Sequence, residues 1–198
     1  MPVFNREELV GDAIRSIQDQ TFSDWELVIL DDGSTDGTLE VCRSFAAADR
    51  RIRVDANDRN LGLGETRKRL MSMGSGTYLL THDSDDISVP ERIEWSLEVL
   101  EHRPEIGLVT GICEWIDDEE KEFQLFPDIL TAGGQYPQDK KQMARLLYQH
   151  CYVPITACMF RRTLGAFFPG IYRIVDDWHF LIRTAIAERI WGIPRVLV

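Results

Sequence analysis

Short apolar runs that stop at acidic turns, each followed by a segment of helical periodicity, recur along this chain and restrict its fold. Trp25-Glu26-Leu27-Val28-Ile29-Leu30 ends at Asp31-Asp32-Gly33-Ser34. Tyr78-Leu79-Leu80-Thr81-His82 ends at Asp83-Ser84-Asp85-Asp86, and a helix-like run begins after Pro90. Runs of this length suit strands, and the Asp, Gly and Ser residues that stop them supply turn chemistry. Pro90 suits a first helical turn, where no amide hydrogen is needed. Strands alternating with helices predict an α/β fold with a mainly parallel, doubly wound sheet. Ligands of such sheets bind beyond the carboxyl ends of the strands. Asp32 and the cluster at residues 83–86 fall at two of those ends.

The same reading assigns the rest of the chain. Residues 1–5 end a strand. Residues 6–20 form a helix with Leu9, Ala13, Ile14 and Ile17 at helical spacing and Asn5 as its N-cap. Residues 38–49 form a helix that turns Leu39, Cys42, Phe45 and Ala46 inward. A strand at 52–54, a loop at 60–64, a helix at 65–73 and a strand at 108–113 follow. Residues 117–138 contain acidic residues, Pro127, Gly133, Gly134 and Pro137 with little periodicity, and are expected to form a long loop or lid. A helix at 140–148, a strand at 155–160, a helix at 176–188 and a last strand reaching Val198 complete the expectation.

A length of 198 residues suffices for one α/β domain with its own core. The net charge of −11 excludes a nucleic-acid binder, which needs a basic face, but not a nucleotide whose phosphates a metal neutralises. Cys42, Cys113, Cys151 and Cys158 have no CxxC or zinc-like spacing, so buried reduced thiols of a cytoplasmic protein are expected. No apolar run approaches a membrane span and no signal peptide precedes the first helix. Membrane contact is therefore expected only through missing segments or a peripheral face.

Carboxylates clustered at the end of a buried strand repel one another and are costly to desolvate. Asp83-x-Asp85 has two readings. One is a solvated acidic turn that caps the next helix. The other is a site for Mg²⁺ or Mn²⁺, held by one or two carboxylates and completed by substrate phosphates. Residues 31–37 imitate the start of a calcium loop, with Asp32, Ser34, Asp36 and Gly37 in place. Arg43 stands where the bidentate Glu belongs, which excludes that reading. Asp36 is expected to cap the helix that follows, and Asp32 to accept hydrogen bonds from a ligand's N–H groups. Asp176 and Asp177 head a late helix and serve either as dipole-stabilised caps or as a general base. The four His show no metal spacing, and His82 lies where it could touch phosphate.

Taken in order, these motifs resemble family 2 glycosyltransferases. The resemblance rests on Pro2-Val3-Phe4-Asn5, the stretch from Gln20 to Glu26, and Val28 to Thr38 with Asp31-Asp32-Gly33-Ser34. It continues through Asn60-Leu61-Gly62 with Arg67, Asp83-Ser84-Asp85-Asp86 with Pro90, and Asp176-Asp177-Trp178 with Arg183. It spans nearly the whole chain. It implies a single GT-A domain, a Rossmann-like three-layer α/β/α arrangement. Residues 1–116 would be the donor half and 117–198 the acceptor half carrying the catalytic base. The family's first strand usually has several apolar residues before Pro2, so the first strand here is expected to be truncated.

The implied activity is inverting, metal-dependent transfer of a sugar from a nucleoside diphosphate sugar, UDP-linked, to an acceptor hydroxyl of a glycan or lipid-linked acceptor. Cell-surface polysaccharide synthesis at the inner face of the membrane is the implied setting. Pro2 and Phe4 would flank the base and Asp32 would bond it. Asn60, Arg67 and Ser84 would help hold the donor. Asp83 and Asp85 would bind Mn²⁺ or Mg²⁺, Asp85 more directly, and Asp177 would be the base. A nucleotide- or glycan-binding domain without turnover is the alternative from another class. A phosphatase using DxD is weaker, because its nucleophilic Asp would follow the first strand. The sequence names neither sugar, linkage nor oligomeric state.

Overall fold

The computed structural model describes residues 1–116, 122–170 and 176–198. The N-terminal layer is a parallel sheet of β1 (Pro2–Val3), β2 (Leu27–Asp31) and β3 (Ile52–Ala56), in the order β1-β2-β3. Helices α1 (Val10–Gln18) and α2 (Thr38–Ala48) make the two crossovers. Parallel neighbours need such crossovers, and all five β2 residues are buried, as a strand covered on both faces requires. Val10, Ala13, Ile14 and Ile17 from α1 and Cys42 from α2 pack on Val3, Leu27, Ile29 and Ile52. Full burial of each large aliphatic side chain there contributes roughly 1.5–3 kcal/mol.

Helix α3 (Leu63–Met73) leads to β4 (Tyr78–Leu80), and α4 (Arg92–His102) to the long β5 (Ile106–Ile116). The later elements are β6 (Glu122–Phe126), α5 (Asp128–Thr131), α6 (Lys140–Gln149), β7 (Met159–Arg161), α7 (Asp176–Ala187) and β8 (Arg189–Val196). The second sheet runs β4-β7-β5-β6, with β8 also paired to β5. β8 runs parallel to β5, while β7 is antiparallel to both β4 and β5. The α/β reading holds, and its parallel strands form the first sheet and the β5–β8 pair. Phe160, Phe168 and Phe180 anchor the second core, the last two stacked at 4.1 Å between centroids.

Five expectations change. The first helix starts at Val10, because residues 6–9 form a separate turn. Leu9 is exposed, and Asn5 is not the N-cap. Instead Asn5 adopts a positive φ of 51°, which Asn tolerates, and turns its side chain to another loop. The expected loop at 117–138 contains β6 and α5. β6 completes a hairpin with β5, Cys113 facing Phe126 and Glu114 facing Leu125. Residues 117–121 of that segment lie outside the described residues. The expected strand at 155–160 is a 3₁₀ turn, Ile155–Ala157, followed by β7. Of the cysteines, all free, Cys42, Cys113 and Cys158 are buried as expected but Cys151 is exposed. Burial pushes the Cys42 thiol up to about 11.

A cleft of about 560 Å³ between the two sheets is bordered by Met1, Val28, Tyr78, Leu80 and Met159. The Met1 ammonium is buried there and donates to the Val28 carbonyl at 2.9 Å. Burial lowers that amine from 8.0 to about 5. Among the described residues no helix is long and apolar enough to cross a membrane.

Candidate active site

The loops after β1 and β2 are tied together by short side chains. Asn5 receives the Thr35 N–H on its Oδ1 at 2.9 Å and donates its own N–H to Ser34 Oγ at 2.9 Å. The Arg6 N–H donates to Thr38 Oγ1 at 2.7 Å, and Glu7 receives the Gly37 N–H at 2.9 Å. Asp36 caps α2 by accepting the Thr38 N–H, as its position predicts. Asp31 is buried and closes the turn after β2 by accepting the N–H groups of Gly33 and Ser34. Gly33 needs its missing side chain. Its φ is +76°, and a Cβ there would lie 2.8 Å from the Arg59 backbone carbon.

Asp32, only 4% exposed, gathers the loop between β3 and α3. Its Oδ1 accepts from Asn57 Nδ2 and the Leu61 N–H, and its Oδ2 from the Gly62 N–H, all at 2.8 Å. The carboxylate expected to read a ligand therefore spends three hydrogen bonds on its own chain. It still borders the cavity described below, and Oδ2, which accepts one bond, has a second acceptor direction. Asn57 completes this network by donating to Thr66 and accepting from Arg69.

The acidic turn after β4 is built on a buried polar floor. Arg92 is completely buried and donates to the carbonyls of Thr81 and Thr156 and to Ser88 Oγ. Its removal from water lowers its pKa from 12.5 to about 10. His82 is 2% exposed and lies among Arg92, Ser88, Ser16 and the Ala13 carbonyl. It points into the protein rather than toward phosphate, which corrects the sequence expectation. Burial first, and the Arg92 charge second, hold its pKa well below 6.5.

Above this floor the carboxylates face two arginines. Arg67 Nη2 binds both oxygens of Asp83, at 2.9 and 3.2 Å, and its Nη1 binds Asp176 Oδ1 at 3.3 Å. Burial works against the Arg67 charge, but Asp83 and Asp176 outweigh it and raise its pKa above the ordinary value. Burial raises the Asp176 carboxyl, opposed by Arg67 and reinforced by Asp177. Burial likewise lifts Asp86, opposed by Thr156 and reinforced by Asp83 and Asp85. Asp85 is 41% exposed and meets Arg6, whose Nε lies 3.1 Å from Asp85 Oδ2.

A cavity of about 370 Å³ brings most of the expected residues together. Pro2, Phe4, Asp32, Asn60, Asp83, Ser84 and Asp85 all border it, with Arg6 and Thr66. Arg67 and Asp177 do not. Arg67 pairs with Asp83, which borders the cavity, and with Asp176, the neighbour of Asp177. The Asp177 carboxylate accepts the Trp178 N–H at 2.8 Å at the start of α7. Arg183 is exposed, its guanidinium 4.8 Å from the Phe167 ring centroid, outside this group. Arg6 and Asn57 are the functional candidates that sequence reasoning missed. Arg6 carried one signal, its place next to a motif residue, and Asn57 carried none.

No group of three or more His, Cys, Asp or Glu among the described residues forms a metal cage. Asp83 and Asp85 alone fit a hard divalent cation of the kind completed by substrate phosphates and water. Asp85 is the freer donor, since Arg67 occupies both oxygens of Asp83.

Residues 1–165 match the family described as Glycosyl transferase family 2. The chain belongs to that family. It is 31% identical over 181 residues to the Escherichia coli UDP-Glc:alpha-D-GlcNAc-diphosphoundecaprenol beta-1,3-glucosyltransferase WfgD, covering 90% of this chain and 65% of WfgD. Its fold matches S. aureus TarS in complex with UDP-GlcNAc, with a TM-score of 0.80 and 19% identity over 99% of this chain and 55% of that one. It also matches glucosyl-3-phosphoglycerate synthase from Mycobacterium tuberculosis in complex with Mn²⁺, UDP and phosphoglyceric acid. There the TM-score is 0.64 and the identity 23%, over 96% of this chain and 65% of that one. The fold is thus that of the GT-A glycosyltransferases. The chain spans about half to two thirds of the length of these relatives.

Proposed function

We propose that the protein is an inverting, metal-dependent glycosyltransferase that moves a sugar from a UDP-sugar to an acceptor hydroxyl in cell-surface glycan synthesis. The observation that carries this reading is the 370 Å³ cavity, where four separated chain segments deliver the family's donor motifs to one place. Pro2 and Phe4 flank the base. Asp32 and Asn60 shape the wall that reads the nucleoside, and Ser84 lies at the diphosphate end. Residues 1–116 act as the donor half and 117–198 as the acceptor half. When bound, Mn²⁺ or Mg²⁺ at Asp83 and Asp85 screens the diphosphate and stabilises it as leaving group.

Asp177 takes the proton of the acceptor hydroxyl as its oxygen attacks the anomeric carbon opposite the diphosphate. The new glycosidic bond forms as the bond to the diphosphate breaks, and one displacement inverts the configuration. WfgD, by its name, acts on a diphosphoundecaprenol-linked sugar. We extend that acceptor class, and a peripheral position at the cytoplasmic face of the membrane, to this protein.

The test is UDP release from UDP-glucose and UDP-GlcNAc, with and without Mn²⁺, using lipid-linked and free acceptors. Metal-dependent transfer that D177N abolishes while UDP still binds is the expected result. Metal-dependent UDP binding with no hydrolysis or transfer under any of these conditions would establish a binding domain instead.

A further inference from the structure

We propose that Arg6 is the exchangeable cation of the donor site: it holds Asp85 until a divalent cation takes that carboxylate, and then binds the donor diphosphate. The proposal rests on the donor-site reading above and adds a residue that no sequence motif assigned. Three carboxylates, Asp32, Asp83 and Asp85, border the cavity, and Arg6 is the one basic residue among its described lining residues. A diphosphate entering that space meets strong repulsion unless positive charge turns toward it.

The three arginines near the acidic turn differ in their freedom. Arg92 is completely buried, with its guanidinium fixed on carbonyls. Arg67 has a side chain 4% exposed and is held by two carboxylates. The Arg6 side chain is 43% exposed, with Nε on Asp85 and Nη1 on the Asn5 carbonyl at 3.1 Å. Its Nη2 makes no hydrogen bond among the described residues. The backbone is nevertheless fixed by the Thr38 hydroxyl, so the side chain swings from a firm base within the cavity.

The energetics favour the exchange. An exposed pair such as Arg6–Asp85 is weak and easily given up. A guanidinium on phosphate makes shorter, stronger, charge-assisted bonds, often in pairs. Metal and guanidinium compete for Asp85, whereas metal and diphosphate together release Arg6 to a new anion. One residue therefore opposes the metal alone and supports the metal–donor complex.

That sign reversal is the test. Mn²⁺ binding without nucleotide, read by electron paramagnetic resonance, should tighten in R6A by up to roughly 5-fold, the equivalent of the lost exposed pair. UDP binding at saturating Mn²⁺, read by calorimetry, should weaken by about 10-fold or more, the scale of a lost charged hydrogen bond. R6K should regain part of the UDP affinity, because it restores charge without the planar fork. An unchanged thermal midpoint shows that the exposed substitution leaves the fold intact. If the wild type binds both ligands and R6A binds UDP–Mn²⁺ as tightly, or loses affinity for both ligands in parallel, the Arg6 assignment falls and the donor site stands. A folded wild type that binds neither Mn²⁺ nor UDP overturns the donor-site reading and the proposal with it.

Discussion

Removing Arg67 should unfold this protein more readily than any loss of contacts at the surface. The residue is 3% exposed and stands between Asp83 and Asp176, the latter 1% exposed. In R67M the aliphatic volume is largely kept, but the Asp176 carboxylate loses its partner in a place that water does not reach. Breaking a buried pair from one side costs about 3–5 kcal/mol. For a domain of this length that corresponds to a fall in Tm of roughly 6–20 °C. The cost should shrink on acidification, since Asp176 already has a raised pKa and, without Arg67, escapes its charge by taking a proton. R67M/D176N, which removes both charges of the buried pair, should recover more than half of the loss. Urea denaturation of the wild type, R67M and R67M/D176N at pH 5 and pH 7.5 measures all three effects. An R67M loss below about 1 kcal/mol at pH 7.5, or a loss equal at both pH values, would refute the view that the pair is held by burial and charge.

Three further outcomes follow from the site. D177N should lower transfer by about 10²–10⁴-fold, the usual contribution of a general base, with UDP affinity within twofold of wild type in calorimetry. D32N should destabilise the fold by about 2–4 kcal/mol in urea titrations, because the amide group that replaces one oxygen then faces either the Gly62 N–H or the Leu61 N–H and Asn57 amide. Stability of the wild type should fall as pH drops below 6.5. The folded state keeps His82 neutral while the unfolded chain takes the proton, at up to about 1.4 kcal/mol per pH unit. H82Q should therefore flatten the profile below pH 6.5, as thermal melts at a series of pH values would show.

The strands and turns of the donor side were legible because each side chain there does one local job. Residues 27–31 are apolar in an unbroken run and become a fully buried parallel strand. Asp36 caps the helix that its position predicts. Legibility failed where a side chain is recruited by something distant in sequence. Asn5 looked like a cap but serves Thr35, and His82 looked available to phosphate but is enclosed by Ser16, Ser88 and Arg92. The β6 strand was hidden for a related reason. It is short and flanked by turn residues, and only pairing with β5 reveals it. At the site, residue identity announced the carboxylates but not their partners. Arg6–Asp85 and Arg67–Asp176 join positions that no periodicity connects.

The ties among the donor-side loops bear on how such a protein can diverge. Asn5 and Glu7 bind the first loop to the second, and Asp32 binds the second to the third. Gly33 lets the second and third touch backbone to backbone. A rim joined in this way has no slack: lengthening any one loop would pull donors away from acceptors in the other two. New donor preferences are then most accessible through single side chains that the rim presents, Phe4 and Asn60 among them, with loop lengths held constant. Beyond β5 the ties are of another kind: Gln135 and Gln138 clamp one loop to the β8 backbone, and Tyr136 joins it to the Tyr152 carbonyl.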